Sequence, residues 1–562
     1  MNDQVSATLA PNMVFQNLIG GRDRPASDGM NLDVLSPIDG SLLARIAAGT
    51  AQDIDEAVKA ARTALEGAWG KLTATERGRL LMKLAAVVEA HADELAILES
   101  RDNGKPLRQS RADAIALARY FEFYGSAADK LHGDVIPYLN THFIGVERVP
   151  HGVTGHIVPW NYPMQIFGRS VGAALAAGNA TVVKPAEDAS LTILRVSALA
   201  REVGFPDGAL NVVTGLGRTA GSALSAHPGI DFLSFTGSPE TGTAVQTAAA
   251  KNHVGVTLEL GGKSAQVVFD DADLERALPT LVNAIIQNGG QTCSAGSRLL
   301  IQRGIFQDVV DAVAERFRAL RAGHPEHEPD LGPMINQAQQ RRVLGYLERG
   351  RNEGLNVISE GAVAPDAPAG GYYVAPAFLA PVPHESILSQ EEVFGPVLVA
   401  TPFDDEAEAI RLANGTPFGL AAGVWTRDAM RSTRVGRSMR AGQVFVNCYG
   451  AGGGIELPFG GFGRSGHGRE KGFEGLIEFT TTKTLVIAHG EASQLTLPRH
   501  HRPCAGDLDW KSTALRSIGM AGTSPAMTSE DVPSVSPPPP LPTRGRDTKM
   551  KRLSKRGEDE TS

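Results

Sequence analysis

From about residue 152 to about 460 the chain alternates short apolar, β-branched runs with helical stretches, and this rhythm limits the folds open to it. His156-Ile-Val-Pro159, Ala180-Thr-Val-Val-Lys184, Leu210-Asn-Val-Val213 and Asp231-Phe-Leu-Ser-Phe235 read as strands, with a helix over 189–203 between them. Short strands separated by helices predict a parallel sheet covered on both faces. A second alternating stretch begins near Gly261, with Ala265-Gln-Val-Val-Phe269, a helix over 275–288 and Ser297-Arg-Leu-Leu-Ile301. Two α/β domains are therefore expected.

Ahead of them, helical spacing predicts a helix over 53–69. A second starts at a capping box, Thr73-Ala-Thr-Glu76, and stops near Gly104-Lys-Pro106. A third is expected over 108–130, with Ile115, Leu117, Ala118 and Phe121 on one side. The 562 residues exceed one typical domain, and 42% hydrophobic with 21% charged residues describes an ordinary globular chain. A net charge of −8 provides no basic field for nucleic acid or an anionic membrane. Three cysteines make no disulfide framework. With no signal peptide or membrane-length apolar run, a cytoplasmic protein is expected. From 490 to 562 the periodicity fades into Pro537–Pro540 and a basic cluster, Lys549-Met-Lys-Arg-Leu-Ser-Lys-Arg556, and this segment reads as a disordered, solvated tail.

Six segments carry candidate chemistry. Cys293 sits among small residues in Asn288-Gly-Gly-Gln-Thr-Cys-Ser-Ala-Gly-Ser297. A lone cysteine is more often a small buried hydrophobe than a nucleophile. Glu259, in Thr257-Leu-Glu-Leu-Gly-Gly-Lys263, offers a base. Asn161, in the loop after the first strand, offers an amide for an oxyanion or makes a local turn. Lys184 and Glu187 end a strand where parallel sheets bind nucleotides, or form a surface ion pair. Gly237 and Ser238 stand where a strand passes into a helix whose free N–H groups suit a pyrophosphate. Glu392 and Phe394, in Gln390-Glu-Glu-Val-Phe-Gly-Pro396, suit a second ribose and a flat ring, or a solvated charge beside a core phenylalanine. Gly215-Leu-Gly217 with Gly221 has the wrong spacing for a dinucleotide fingerprint and reads as a turn.

In order and spacing these segments, with Pro458-Phe-Gly-Gly-Phe-Gly-Arg-Ser-Gly-His-Gly-Arg-Glu470, resemble the aldehyde dehydrogenase superfamily over roughly residues 15–488. The resemblance implies two Rossmann-like α/β domains: an NAD-binding domain of 1–130 and 151–260, and a catalytic domain of 261–462. A β-strand oligomerisation extension of 131–150 and 473–489 is implied, with a homodimer or homotetramer. It implies Cys293 as nucleophile, Asn161 and the Cys293 backbone N–H as oxyanion donors, Glu259 as the base that activates water, and Glu470 as its proton relay. Lys184 and Glu187 are implied to hold the adenosine ribose, Trp160, Gly237 and Ser238 the pyrophosphate, and Glu392 and Phe394 the nicotinamide end. NAD is then the expected cofactor, since Glu187 repels a 2′-phosphate. No metal is expected. Glu259 implies water rather than coenzyme A as acyl acceptor.

For the substrate, Arg169 stands eight residues beyond Asn161, where arginine in semialdehyde-oxidising relatives binds a far carboxylate. It either does so here or pairs with a neighbouring acid. A second arginine expected before the cysteine is Gln287 instead. Phe459 is implied at the pocket wall, and Gly450-Ala-Gly-Gly-Gly454 implies an open mouth. Glu456 keeps betaine-type aldehydes open, and aromatic aldehydes are a further alternative. Ester hydrolysis and a non-catalytic protein on the same fold are the competing classes.

Overall fold

The computed structural model describes residues 13–450 and 454–489, all within the first of two compact units, Met1–Gly490. The expected tail over 490–562, including Cys504, lies outside the described residues.

Two large sheets form the body. The first has eight strands. Its five central members, in spatial order Gly255–Glu259, Phe232–Thr236, Val153–Val158, Ala180–Pro185 and Leu210–Val212, run parallel. Gly466–His467 closes one edge antiparallel to Gly255–Glu259, and Asn17–Ile19 pairs antiparallel on the other. The second sheet has seven strands around Ala265–Val268, Arg298–Gln302 and Val397–Phe403. The parallel strands are buried and rich in Val, Ile and Leu, as expected where helices cover both faces. One core packs the first sheet against the helices Ala51–Glu66, Ala74–Ala90, Leu107–Ala127 and Pro163–Ala177.

A third sheet stands apart from both. Thr480–Ala488 pairs antiparallel with His142–Pro150 over nine residue pairs, and Asp134–Val135 extends it. It leaves Val135, Phe143, Val486 and Ile487 exposed. The helix Gly472–Glu478 precedes this sheet and packs on Pro163–Ala177.

Local expectations held where local chemistry decides them. Thr73 caps Ala74–Ala90 with both halves of its capping box made. Several others are corrected. The long second helix is broken at His91, whose non-helical backbone ends one helix and starts another, Ala92–Asn103, with Asp93 and Glu94 at its positive end. Ile115 is exposed; the buried stripe is Ala114, Leu117, Ala118 and Phe121, the i, i+3, i+4, i+7 set. Gly217–Gly221 is one turn of π-helix rather than a loop turn. Cys448 lies just past the strand Gln443–Val446, and its side chain is exposed.

Candidate active site

Cys293 follows the helix Leu274–Ile286 and a tight turn in which Asn288, Gly289 and Gly290 all adopt left-handed backbone. Glycine at 290 is required twice over, by its φ of 75° and because a Cβ there would stand 2.2 Å from the Gly395 carbonyl. Hydrogen bonds fix the turn to the loop carrying Asn161. Asn161 Nδ2 donates to the Gln291 carbonyl at 3.0 Å, and Asn288 Nδ2 donates to the Asn161 carbonyl at 2.8 Å. One N–H of the Asn161 amide is thus engaged, and the other is not used by that bond.

Two cavities meet at these residues. A cleft of about 670 Å³ is lined by Trp160, Asn161, Gly237, Ser238, Glu259, Cys293, Glu392 and Phe394. A chamber of about 130 Å³ shares Asn161 and Cys293 with it and is walled by Tyr162, Arg169, Phe445, Tyr449, Phe459 and Lys471 among others. In the cleft, Ser238 caps the helix Pro239–Ala250, and Gly237 leaves the approach to its N-terminus without a side chain. Glu392 Oε1 accepts the Gly262 N–H at 3.0 Å, and burial first of all pushes its carboxyl up to about 7. Trp160 and Phe394 meet edge to face at 5.4 Å, with Phe394 held at a φ of 60°. The cleft's size, its helix terminus and its ring-and-carboxylate end fit a dinucleotide. Lys184 and Glu187 lie outside the described lining of the cleft. Lys184 Nζ donates to Glu187 at 2.8 Å, and the other Glu187 oxygen accepts the Gly217 N–H at 3.4 Å.

The electrostatics are those of a buried site. Burial pushes the Cys293 thiol up to about 11, with the nearby Arg169 and Lys471 cations opposing the rise. Burial and then the Glu470 carboxylate hold Glu259 well above the usual carboxylate range, while Arg169 pulls it down. Neither Glu259 oxygen has a hydrogen-bond partner among the described residues. Glu470 is fully buried, accepts from Ser234 Oγ at 2.8 Å and forms an ion pair with Arg169 Nε. Arg169 thus pairs with a neighbouring acid, and it also lines the chamber, 5.0 Å from the Phe459 ring. Glu456 points elsewhere, to Arg119.

Sequence reasoning missed Lys471. It is buried at a φ of 60°, lies 5.0 Å from the Phe459 ring, and burial brings its ammonium down to about 8. Its position beside Glu470 in the chain was the available signal. Tyr162 and Tyr449 were missed as well; Tyr449 donates to the Ser294 carbonyl at 2.8 Å.

Comparison with known proteins agrees with this geometry. The model of the aldehyde dehydrogenase family matches residues 24–485. The NADP/NAD-dependent aldehyde dehydrogenase PuuC of Escherichia coli is 40% identical over 86% of this chain and 97% of its own length. A candidate aldehyde dehydrogenase from Burkholderia cenocepacia superposes with a TM-score of 0.84 at 60% identity, over 84% of this chain and all of that one. The NAD+ complex of aldehyde dehydrogenase from Bacillus cereus superposes with a TM-score of 0.84 at 38% identity, over 87% of this chain and 99% of that one.

Proposed function

The chain belongs to the aldehyde dehydrogenase family, and from that premise we propose that it oxidises an aldehyde to its carboxylic acid with NAD, through a thioester on Cys293 that water hydrolyses. The observation that supports this most directly is the sharing of Cys293 and Asn161 by the cleft and the chamber. An aldehyde in the chamber and a dinucleotide in the cleft then meet at one sulfur. Trp160, Gly237 and Ser238 would hold the pyrophosphate, Glu392 and Phe394 the nicotinamide end, and Lys184 and Glu187 the adenosine ribose. NAD, when bound, supplies the hydride acceptor.

The protein's own groups do the rest. The Cys293 thiolate adds to the aldehyde carbon, and Arg169 and Lys471 favour the thiolate over the thiol. The remaining Asn161 N–H and the Cys293 backbone N–H receive the oxyanion. Loss of one such donor slows turnover by roughly 10²–10³-fold. After oxidation, Glu259 takes a proton from the water that attacks the thioester, and the Cys293 thiolate leaves. The raised pKa of Glu259 makes it a stronger base toward that water. Glu470 tunes Glu259 through space while Arg169 holds it.

The chamber narrows the substrate. Its walls include four aromatic rings, Arg169 and Lys471 are its cations, and no Asp or Glu side chain is among its described lining residues. This disfavours a quaternary-ammonium aldehyde and favours a neutral aromatic aldehyde or one bearing a carboxylate. Arg169 and Lys471 are together the cations that such a carboxylate would meet. NADH formation with carboxylated, quaternary-ammonium, aromatic and aliphatic aldehydes, alongside Cys293→Ala, tests the reading. Esterase activity without NAD reduction, or none at all, defeats it.

A further inference from the structure

Behind the chamber wall lies a cluster of buried charge that the proposed chemistry leaves unused. Lys105, 1% exposed, donates from Nζ to Glu99 at 2.8 Å and to Asp113 at 2.5 Å, and both carboxylates are buried. Taking such groups out of water costs several kcal/mol per ion, and pairing offsets this only when the geometry is good. A buried charge cluster is therefore weak evidence for stability.

The cluster sits on two consecutive helices, Ala92–Asn103 and Leu107–Ala127, and the link between them, and this stretch contacts both loops of the active site. On the Asn161 loop, Asn103 Nδ2 donates to the Trp160 carbonyl at 2.5 Å and the Lys105 ammonium lies 4.2 Å from the centre of the Tyr162 ring; Gln165, in the helix Pro163–Ala177 that follows, donates to Asp113 at 2.5 Å. On the nucleophile loop, Gln109 Oε1 accepts the Asn288 N–H at 2.9 Å. One contact joins the two loops directly: the Tyr162 hydroxyl stands 2.8 Å from Thr292 Oγ1, next to Cys293. Thr292 has one hydroxyl proton and donates it to the Gln287 carbonyl at 3.2 Å. Its oxygen must then accept from Tyr162. The chain runs in one direction, from the Tyr162 hydroxyl to that of Thr292 and on to the carbonyl that ends the preceding helix.

We propose that the segment Asn103–Asp113 is a brace for the nucleophile, and that Tyr162 and Thr292 are positioning residues which pass its rigidity to Cys293. The inference rests on Cys293 being the nucleophile. Tyr162 is anchored from behind by Lys105, so its hydroxyl arrives at Thr292 with little freedom to lose. That hydrogen bond fixes the residue before the sulfur, and a small displacement of a reacting group is costly.

The test uses the full chain with NAD and four variants: Tyr162→Phe, Thr292→Val, their double, and Thr292→Ser, which keeps the hydroxyl. The readouts are the rate of the first NADH burst, NAD affinity, and the pH profile of Cys293 carbamidomethylation by iodoacetamide. Tyr162→Phe and Thr292→Val are expected each to slow the burst about tenfold at unchanged NAD affinity, the double to be no slower than the worse single, and Thr292→Ser to stay near wild type. The carbamidomethylation profile is expected to change in step with the burst. A Tyr162→Phe burst at the wild-type rate, independent effects in the double, or Thr292→Ser as slow as Thr292→Val overturns the proposal. Iodoacetamide needs no aldehyde, so a wild-type protein that reacts with it normally but gives no burst overturns the functional reading rather than the brace. Lys105→Met leaves two buried carboxylates unpaired and endangers folding, which is why the test rests on the hydroxyl pair.

Discussion

Arg169 forms an ion pair through Nε with the fully buried carboxylate of Glu470, two groups far apart in the chain and both close enough to Glu259 to shift its titration. They act on Glu259 with opposite sign: Glu470 raises it and Arg169 lowers it. The base works deprotonated, so the acidic limb of the kcat profile follows its pKa. Glu470→Gln is expected to move that limb to lower pH, and Arg169→Met to higher pH. Both variants moving it the same way contradicts the arrangement. Arg169→Met also strands a buried carboxylate, so thermal unfolding should report a loss of about 3–5 kcal/mol.

The Cys293 thiol, held up to about 11 by burial, should be slow toward iodoacetamide at neutral pH without cofactor. Its reactivity should rise about tenfold per pH unit below that value, since only the thiolate reacts. Stopped alkylation assays from pH 6 to pH 10 check this. A plateau near pH 7 shows a thiolate already stabilised.

Lys471 lines the chamber together with Arg169, and the pair of cations is expected to favour carboxylated aldehydes. Lys471→Gln should lower the ratio of kcat/KM for a carboxylated aldehyde to that for its neutral isostere on the order of tenfold, the range of a hydrogen bond to a charged group. Equal loss on both substrates assigns Lys471 to the thiolate instead.

The sheet of Thr480–Ala488 and His142–Pro150 exposes Phe143, Val486 and Ile487, and an uncovered apolar edge favours self-association. We expect a homo-oligomer in solution by light scattering, shifted toward smaller species by Val486→Lys with Ile487→Glu. An unchanged mass at all concentrations tells against this surface.

The parts of the fold legible in sequence were those governed by neighbours. The capping box at Thr73 and the strands Ala180–Pro185 and Phe232–Thr236 follow from local pattern, and the motif around Cys293 marked the site. The break at His91 escaped notice because Leu84, Val88 and Leu95 continue an apolar stripe across it. Arg169 was ambiguous because its partner lies in a distant segment, brought close only when Gly466–His467 pairs with Gly255–Glu259. Lys471 was overlooked because its direction depends on a left-handed backbone that spacing cannot reveal.

The thioester is the centre of the account, and trapping it is the most direct measurement. Glu259→Gln mixed with NAD and an accepted aldehyde, quenched in acid and weighed intact, should carry one acyl group on Cys293, with one NADH released per site and little turnover afterwards. The same variant turning over at the wild-type rate with no mass added to Cys293 contradicts it.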